Sequence, residues 1–283
     1  MKVKFWGARG SVPISRPDCR VYGGNTTAVE VVSDGGCRVI IDAGTGIRDL
    51  GNSLLAKLPV KIHLLFTHYH WDHIQGFPFF VPGFIPGNEL HIYGQKKGEQ
   101  DVRDILNHLM SPPNFPVPLA IMGAKMVFHD LQETGEIVLA DDLKVIYGPL
   151  FHPNGVVGFR FESNGRVFTF LTDIEHESED EVSQSPLNLS LNADIVAYDC
   201  QYTPEQYPSR KNWGHSTWVS GLQLVRKAGA KSLYMIHHDP AHNDVQIDSM
   251  LKAARAQADA LGVTVEAVYE GMEFEVGSPS SSD

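Results

Sequence analysis

The stretch Phe66–Gly76, FTHYHWDHIQG, sets three histidines and an aspartate within six positions, directly after the apolar run Ile62–Phe66. A strand that ends in this way must open onto a polar site at the rim of a sheet, because so many imidazoles and a carboxylate are costly to bury without partners. In extended chain, residues two apart face the same side, so His68 and His70 can grip one cation. If the chain then turns into a helix, Asp72 and His73 can point to a second position next door. Imidazole with carboxylate suits zinc, manganese or iron, and the lack of thiolate argues against a closed structural site.

Two ions need more than four ligands, and further candidates should also stand at strand ends. Three do. His152 follows the strand-like Val145–Leu150, Asp173 follows Val167–Thr172, and His237 follows Ser232–Ile236. His238 adjoins His237, and neighbours along an extended chain face opposite ways, so both cannot easily bind one ion.

The rest of the chain reads as alternating strands and helices. Strands are expected at Val3–Trp6, Thr27–Val32, Arg38–Asp42, Lys61–Phe66 and Leu90–Tyr93. Later strands fall at Val138–Tyr147, Val156–Glu162, Arg166–Thr172, Ile195–Asp199, Ser232–Ile236 and Val263–Tyr269, with a hairpin turn at Asn164-Gly165. Helices are expected at Ile47–Leu58, Asp101–Met110, Ser216–Ala228 (stopped by Gly229) and Gln246–Leu261. Residues 96–128 include SPPNFPVPLAIM, a proline-rich apolar segment suited to neither helix nor central strand, and read as an inserted cap. The expectation is one domain over 1–277 with that cap, followed by a disordered tail at 278–283.

A chain of 283 residues, 42% hydrophobic, can bury a large core. Its formal net charge of −11 does not draw nucleic acid or anionic membrane over the whole surface, so an anionic substrate needs local positive charge, which divalent metal supplies. Cys19, Cys37 and Cys200 form no CxxC pair and are odd in number, a reduced and cytoplasmic pattern. No signal-like start and no apolar run of about 18 residues appear, so no membrane partner is expected.

The sequence resembles the metallo-β-lactamase superfamily, and within it the ribonuclease Z-like and cyclic-nucleotide phosphodiesterases. The likeness runs from FWGARGSVP and YGGNTT through IIDAGTG, THYHWDH, FHPNG, FLTD and NWGHST to IHHDP. It implies an α/β, four-layer αββα sandwich with a two-metal site at one edge. By that resemblance His68, His70 and His152 hold the first metal, Asp72, His73 and His237 the second, and Asp173 bridges them. Zn2+ leads as the metal, with Mn2+ or Fe2+ also suitable. Family motifs of the form HxxP favour His237 over His238 as ligand, leaving His238 as an outer or substrate-facing group. Asp42, in IIDAG, is similar to a family aspartate that orients a metal-bound imidazole.

Two ions about 3.5–4 Å apart can share a water and make hydroxide available at neutral pH. The leaving alkoxide then needs a proton. His215 in NWGHSTW can supply it, and Asp199 in VAYDC can hold that ring; the family often has His-Glu-Ala where this chain has Tyr198-Asp199-Cys200. The catalytic set is therefore His215, Asp199 and Asp72. This dyad favours phosphodiesters over the thioesters and lactones that the same metals could hydrolyse. A basic arm for gripping transfer RNA is missing, with few cations beyond Lys96, Lys97, Arg103 and Lys125 in the inserted stretch.

The expected substrate is thus a small phosphodiester, with a 3′,5′-cyclic nucleotide leading. An RNA-processing endonuclease is the runner-up, and iron-dependent redox chemistry a further class. Phe115, Met122 and Trp213 could wall a base, Tyr202 or Tyr207 could reach sugar or phosphate, and Asn25, Arg9 and Arg20 could lie on the phosphate side. A homodimer would fit exposed apolar cap surface. His63, His91, His108, His129, His176 and His242 belong to no motif.

Overall fold

The structure, a computed structural model, describes residues 1–176 and 182–277; the tail expected to be disordered lies outside them. Two seven-stranded mixed sheets pack face to face. The first is formed by β1 (Lys2–Gly7), β2 (Ala28–Val32), β3 (Arg38–Ile41), β4 (Lys61–Leu65), β5 (Glu89–Gln95), β6 (Lys125–Leu131) and β14 (Glu273–Glu275), in the order β14-β1-β2-β3-β4-β5-β6. The second is formed by β7 (Gly135–Ala140), β8 (Leu143–Leu150), β9 (Val156–Ser163), β10 (Arg166–Leu171), β11 (Ile195–Asp199), β12 (Ser232–Ile236) and β13 (Thr264–Ala267), in reverse order of sequence. Each sheet is antiparallel on one side and parallel on the other, with β3 to β6 and β10 to β13 running parallel.

Alternation along the strands builds three cores. Val3, Phe5, Val31, Ile41 and Leu65 point between the sheets and meet Val145, Phe159, Phe161, Phe168 and Ile236. Ile62, Leu64 and Ile92 point the other way, under α1 (Ile47–Leu54) and α3 (Val102–Leu109). On the far face α4 (Gln184–Ser190), α5 (Trp218–Ala228) and α6 (Asp244–Ala258) cover the second sheet through Leu189, Leu222, Val225, Ile247 and Ala254. At roughly 1.5–3 kcal/mol for each large apolar side chain buried, these three layers of contact hold the αββα sandwich together.

Local signals set the helix ends. Thr217 caps α5 by accepting from Ser220 N–H, and Gly229, in the left-handed region at φ 65°, closes it. Asn243 with Gln246 forms a capping box on α6, and Asp101 with Asp104 forms one on α3.

Two readings of the sequence are corrected here. Residues 138–147 are not one strand: β7 ends at Ala140, and β8 starts at Leu143 after a turn at Asp141-Asp142. Apolar residues on both arms hid the turn. Residues 96–128 are not a separate cap but the crossover between parallel strands β5 and β6; Val102, Leu106, Leu119 and Met122 share the core of Leu90 and Ile92. The prolines lie in its turns, so they never need to fit a central strand.

Candidate metal centre and active site

The parallel strands of both sheets end at one edge of the sandwich, and the chain places its polar side chains there. Asp42 follows β3, the segment from Thr67 to His73 follows β4, His152 follows β8, Asp173 follows β10, Asp199 ends β11 and His237 follows β12. His70 caps the single turn α2 (Trp71–Ile74), which swings Asp72 and His73 round to the cradle. Asp42, Asp173 and His237 all have positive φ, at 59°, 55° and 63°. Each non-glycine residue in that region costs about 1–2 kcal/mol and persists where surrounding contacts fix it.

The seven expected ligands converge. One group joins His68, His70 and His152, and another joins Asp72, His73 and His237. His152 Nε2 lies 3.2 Å from His70 Nδ1. His73 Nε2 and His237 Nε2 lie 3.1 and 3.3 Å from Asp72 Oδ2. Asp173 sits between the groups: Oδ1 is 3.8 and 3.7 Å from the Nε2 atoms of His68 and His152, while Oδ2 is 3.1 and 3.3 Å from those of His73 and His237. Each of its oxygens faces one cluster.

Outer partners fix which nitrogen each ring presents. His73 Nδ1 donates to Asp42 Oδ2 at 2.8 Å. Thr67 Oγ1 donates to Asp42 and receives His68 Nδ1 at 3.0 Å. His152 Nδ1 donates to the Gly214 carbonyl at 2.7 Å, and His237 Nδ1 to Gln201 Oε1 at 2.9 Å. The Gly214 carbonyl can only accept, so His152 carries its proton on Nδ1 and turns Nε2 inward, and His68, His73 and His237 turn the same nitrogen inward. His70 alone turns Nδ1 inward.

These residues fit divalent metal. His68 Nε2 is buried without a hydrogen-bond partner, so its lone pair is available to a cation. Five imidazoles and two carboxylates without thiolate form a donor set suited to zinc, manganese or iron. Burial keeps His68 and His152 below the usual imidazole range, hence neutral and able to coordinate. Burial would also lower His237, but Asp173, Asp72 and Asp199 raise it to about 9. Burial would raise Asp72, but His73 and His237 hold it well below the usual carboxylate range. Protons thus offset carboxylate charge in the second cluster, and metal binding would displace them.

Beside the cradle, His215 Nδ1 donates to Asp199 Oδ2 at 2.9 Å. Asp199 is fully buried and also accepts from the backbone N–H of Asp173 and of Gln201, both at 3.0 Å. The His215 ring stacks on His237 at 5.0 Å and meets the edge of Tyr202 at 5.7 Å. Trp213, 60% exposed and with the Arg210 guanidinium 5.7 Å from its ring, lies two residues before His215, and Trp71, 80% exposed, lies between His70 and Asp72 in the chain. A cleft of about 580 Å³ lies beside Trp71, lined also by Tyr69, Ile74, Ile105 and Leu109.

Several expected substrate residues are placed elsewhere. Asn25 Nδ2 is engaged by Glu270. Arg9 is fully buried and donates to the carbonyls of Gly23, Asp239 and His242, so it is a loop clamp. Met122 is in the core, Phe115 packs on Phe79, and Tyr207 donates to Glu175. Tyr202 is buried beneath His215 rather than open to a sugar. His238 faces away from the cradle, donating from Nε2 to Val268 O at 2.8 Å, so it is not an outer partner of the metal ligands. Thr67, Gln201, Gly214 and Glu175 were missed by sequence reasoning; only their closeness in sequence to the expected ligands hinted at them.

The pattern described as the beta-lactamase superfamily domain matches residues 37–238. A ribonuclease Z of Haloarcula marismortui is 23% identical over 335 aligned positions, covering 100% of this chain and 99% of the relative. Among solved structures, the metallo-beta-lactamase fold protein YhfI of Bacillus subtilis superposes with a TM-score of 0.71 at 18% identity, covering 97% of this chain and 99% of its own. A diphosphatase of the PhnP family superposes with a TM-score of 0.67 at 20% identity, with 97% of both chains covered.

Proposed function

The chain belongs to the beta-lactamase superfamily, an enzyme of its hydrolase class, and from that premise we propose that it is a two-metal phosphodiesterase acting on a small phosphodiester, with a 3′,5′-cyclic nucleotide as the leading substrate. In this reading His68, His70 and His152 would hold one ion and Asp72, His73 and His237 the other, with Asp173 facing each group with one oxygen. Divalent ions, when bound, supply positive charge against the non-bridging oxygens and lower the pKa of water.

The observation that carries the phosphodiester reading is the His215–Asp199 pair. Asp199 occupies Nδ1 of the ring, so Nε2 is left to deliver a proton to the departing oxygen, where an alkoxide would otherwise form. Trp213 and Trp71, both exposed and close in sequence to the candidate site residues, offer flat apolar surface that a base could meet.

Small size is supported by the crossover between β5 and β6. Each of its cations is engaged: Lys96 with Asp130 at 3.2 Å, Lys97 with the carbonyls of Asn154 and Gly155, Arg103 over the Phe128 ring at 4.5 Å, and Lys125 with Glu89 at 3.1 Å. Four cations, two of them in exposed surface pairs, are few for gripping an RNA body through its phosphates.

The second reading is an endonuclease of ribonuclease Z type, favoured by the end-to-end alignment with the Haloarcula protein of that name. One experiment separates them. The purified chain is offered bis(p-nitrophenyl) phosphate, cyclic AMP, cyclic GMP, a precursor transfer RNA, and a thioester and lactone panel. The expected result is hydrolysis of the small phosphodiesters, stopped by chelation and restored by Zn2+ or Mn2+. Faster cleavage of the RNA would favour the second reading, and activity confined to thioesters or lactones would overturn both.

A further inference from the structure

Glu175 lies two residues beyond Asp173, in the loop that leaves β10, and is 3% exposed. Oε1 accepts from the Tyr207 hydroxyl at 3.0 Å and from the Asn212 N–H at 2.8 Å, while Oε2 accepts from the Gly214 N–H at 2.8 Å. All three donors belong to the single loop 207–214, which leads into His215. A buried carboxylate with three donors from one loop is a tether, since releasing any donor leaves charge unsatisfied.

The bond to Gly214 reaches the active site. Gly214 sits at φ 86°, and a Cβ there would lie 2.1 Å from His152 Nδ1. The carbonyl of the same residue accepts from His152 Nδ1 at 2.7 Å. The loop therefore passes against the ring, and the placing of one glycine decides whether His152 has its acceptor. On the other side, Lys97 Nζ donates to the carbonyls of Asn154 and Gly155, so the His152 loop itself is held independently.

We propose that Glu175 is a positioning residue: it ties loop 207–214 to the loop carrying Asp173, and so keeps the Gly214 carbonyl on His152 Nδ1. The His152 ring is then presented by Nε2 to the His68–His70 cluster. The loop geometry stands on its own, whereas the effect on metal rests on the reading of His152 as a ligand.

The test uses the full chain with Glu175→Gln and Glu175→Ala. The glutamine keeps the volume and an acceptor oxygen but turns an NH2 group toward one of the donors, so it should fold even if alanine does not. Hydrogen exchange is followed at the Asn212 and Gly214 amides, and Zn2+ is titrated against a competing chelator, with His152→Ala marking which of the two affinities belongs to the His152 cluster. Exchange at both amides should rise about tenfold or more, and the affinity lowered by His152→Ala should fall about 10–100-fold while the other holds. Unchanged exchange would overturn the proposal. So would faster exchange with both affinities falling together or neither falling. If the parent chain bound no Zn2+, the metal reading would fail, while the tether would still be decided by exchange together with the His152 ring tautomer read from its nitrogen shifts.

Discussion

Asp199 Oδ2 accepts His215 Nδ1 at 2.9 Å and the backbone N–H of Asp173 at 3.0 Å. One buried oxygen therefore fixes both the His215 ring and the turn that carries Asp173. Changing His215 to Ala should leave metal content intact and lower phosphodiester turnover by about 10²–10⁴. Asp199→Asn should cost a similar factor, because an amide NH2 facing Nδ1 favours the wrong tautomer. Steady-state rates beside elemental analysis check both.

Asp173 faces each cluster with a different oxygen. Asp173→Ala should therefore weaken both ion positions, whereas His70→Ala should weaken one. Metal per chain after dialysis, measured by elemental analysis, distinguishes these outcomes. Equal and undiminished content in Asp173→Ala would contradict the shared role.

Far from that edge, His63, His91 and His129 stack on neighbouring strands β4 to β6, with centroids 5.0 and 5.2 Å apart. Burial, then His91 and Lys61, lowers His63 to about 4, and its Nδ1 lies 3.0 Å from the Tyr93 hydroxyl. As pH falls the unfolded chain, with an ordinary imidazole near 6.5, takes up this proton before the folded chain does. The stability is whole above about 6.5 and erodes down to about 4, by a total on the order of 3 kcal/mol. Urea melts at pH 7.5 and 5 should show a smaller pH difference for His63→Gln than for the parent chain.

Lys97 Nζ holds the Asn154 and Gly155 carbonyls at 2.6 and 2.9 Å, joining the β5–β6 crossover of one sheet to the His152 loop of the other. Lys97→Met keeps the apolar stem and removes the donors. A loss of about 1–2 kcal/mol in denaturant melts is expected; an unchanged midpoint would show that the loop does not depend on it.

The convergence of the histidine and aspartate side chains was legible because each stands directly after an apolar strand, and strands are located well where the apolar run is continuous. Ile195–Asp199 and Ser232–Ile236 were read to the residue for that reason. Strands β6 and β14 were missed: both lie at sheet edges, where one side meets water and apolar runs are broken. The polar groups that orient the imidazoles were legible only in part. Asp42 could be anticipated, but Gln201 and Gly214 act through a side-chain amide and a backbone carbonyl, and no spacing rule marks either. Met122 and Asn25 misled because an apolar or amide side chain reads alike whether it faces a ligand or its own neighbours.

The most direct measurement is an anomalous scattering map from crystals of the metal-loaded chain, collected on either side of the zinc and manganese edges. Two peaks per chain are expected, one among His68, His70 and His152 and the other among Asp72, His73 and His237, with Asp173 between them. A lone peak, or ions bound away from these side chains, would contradict it.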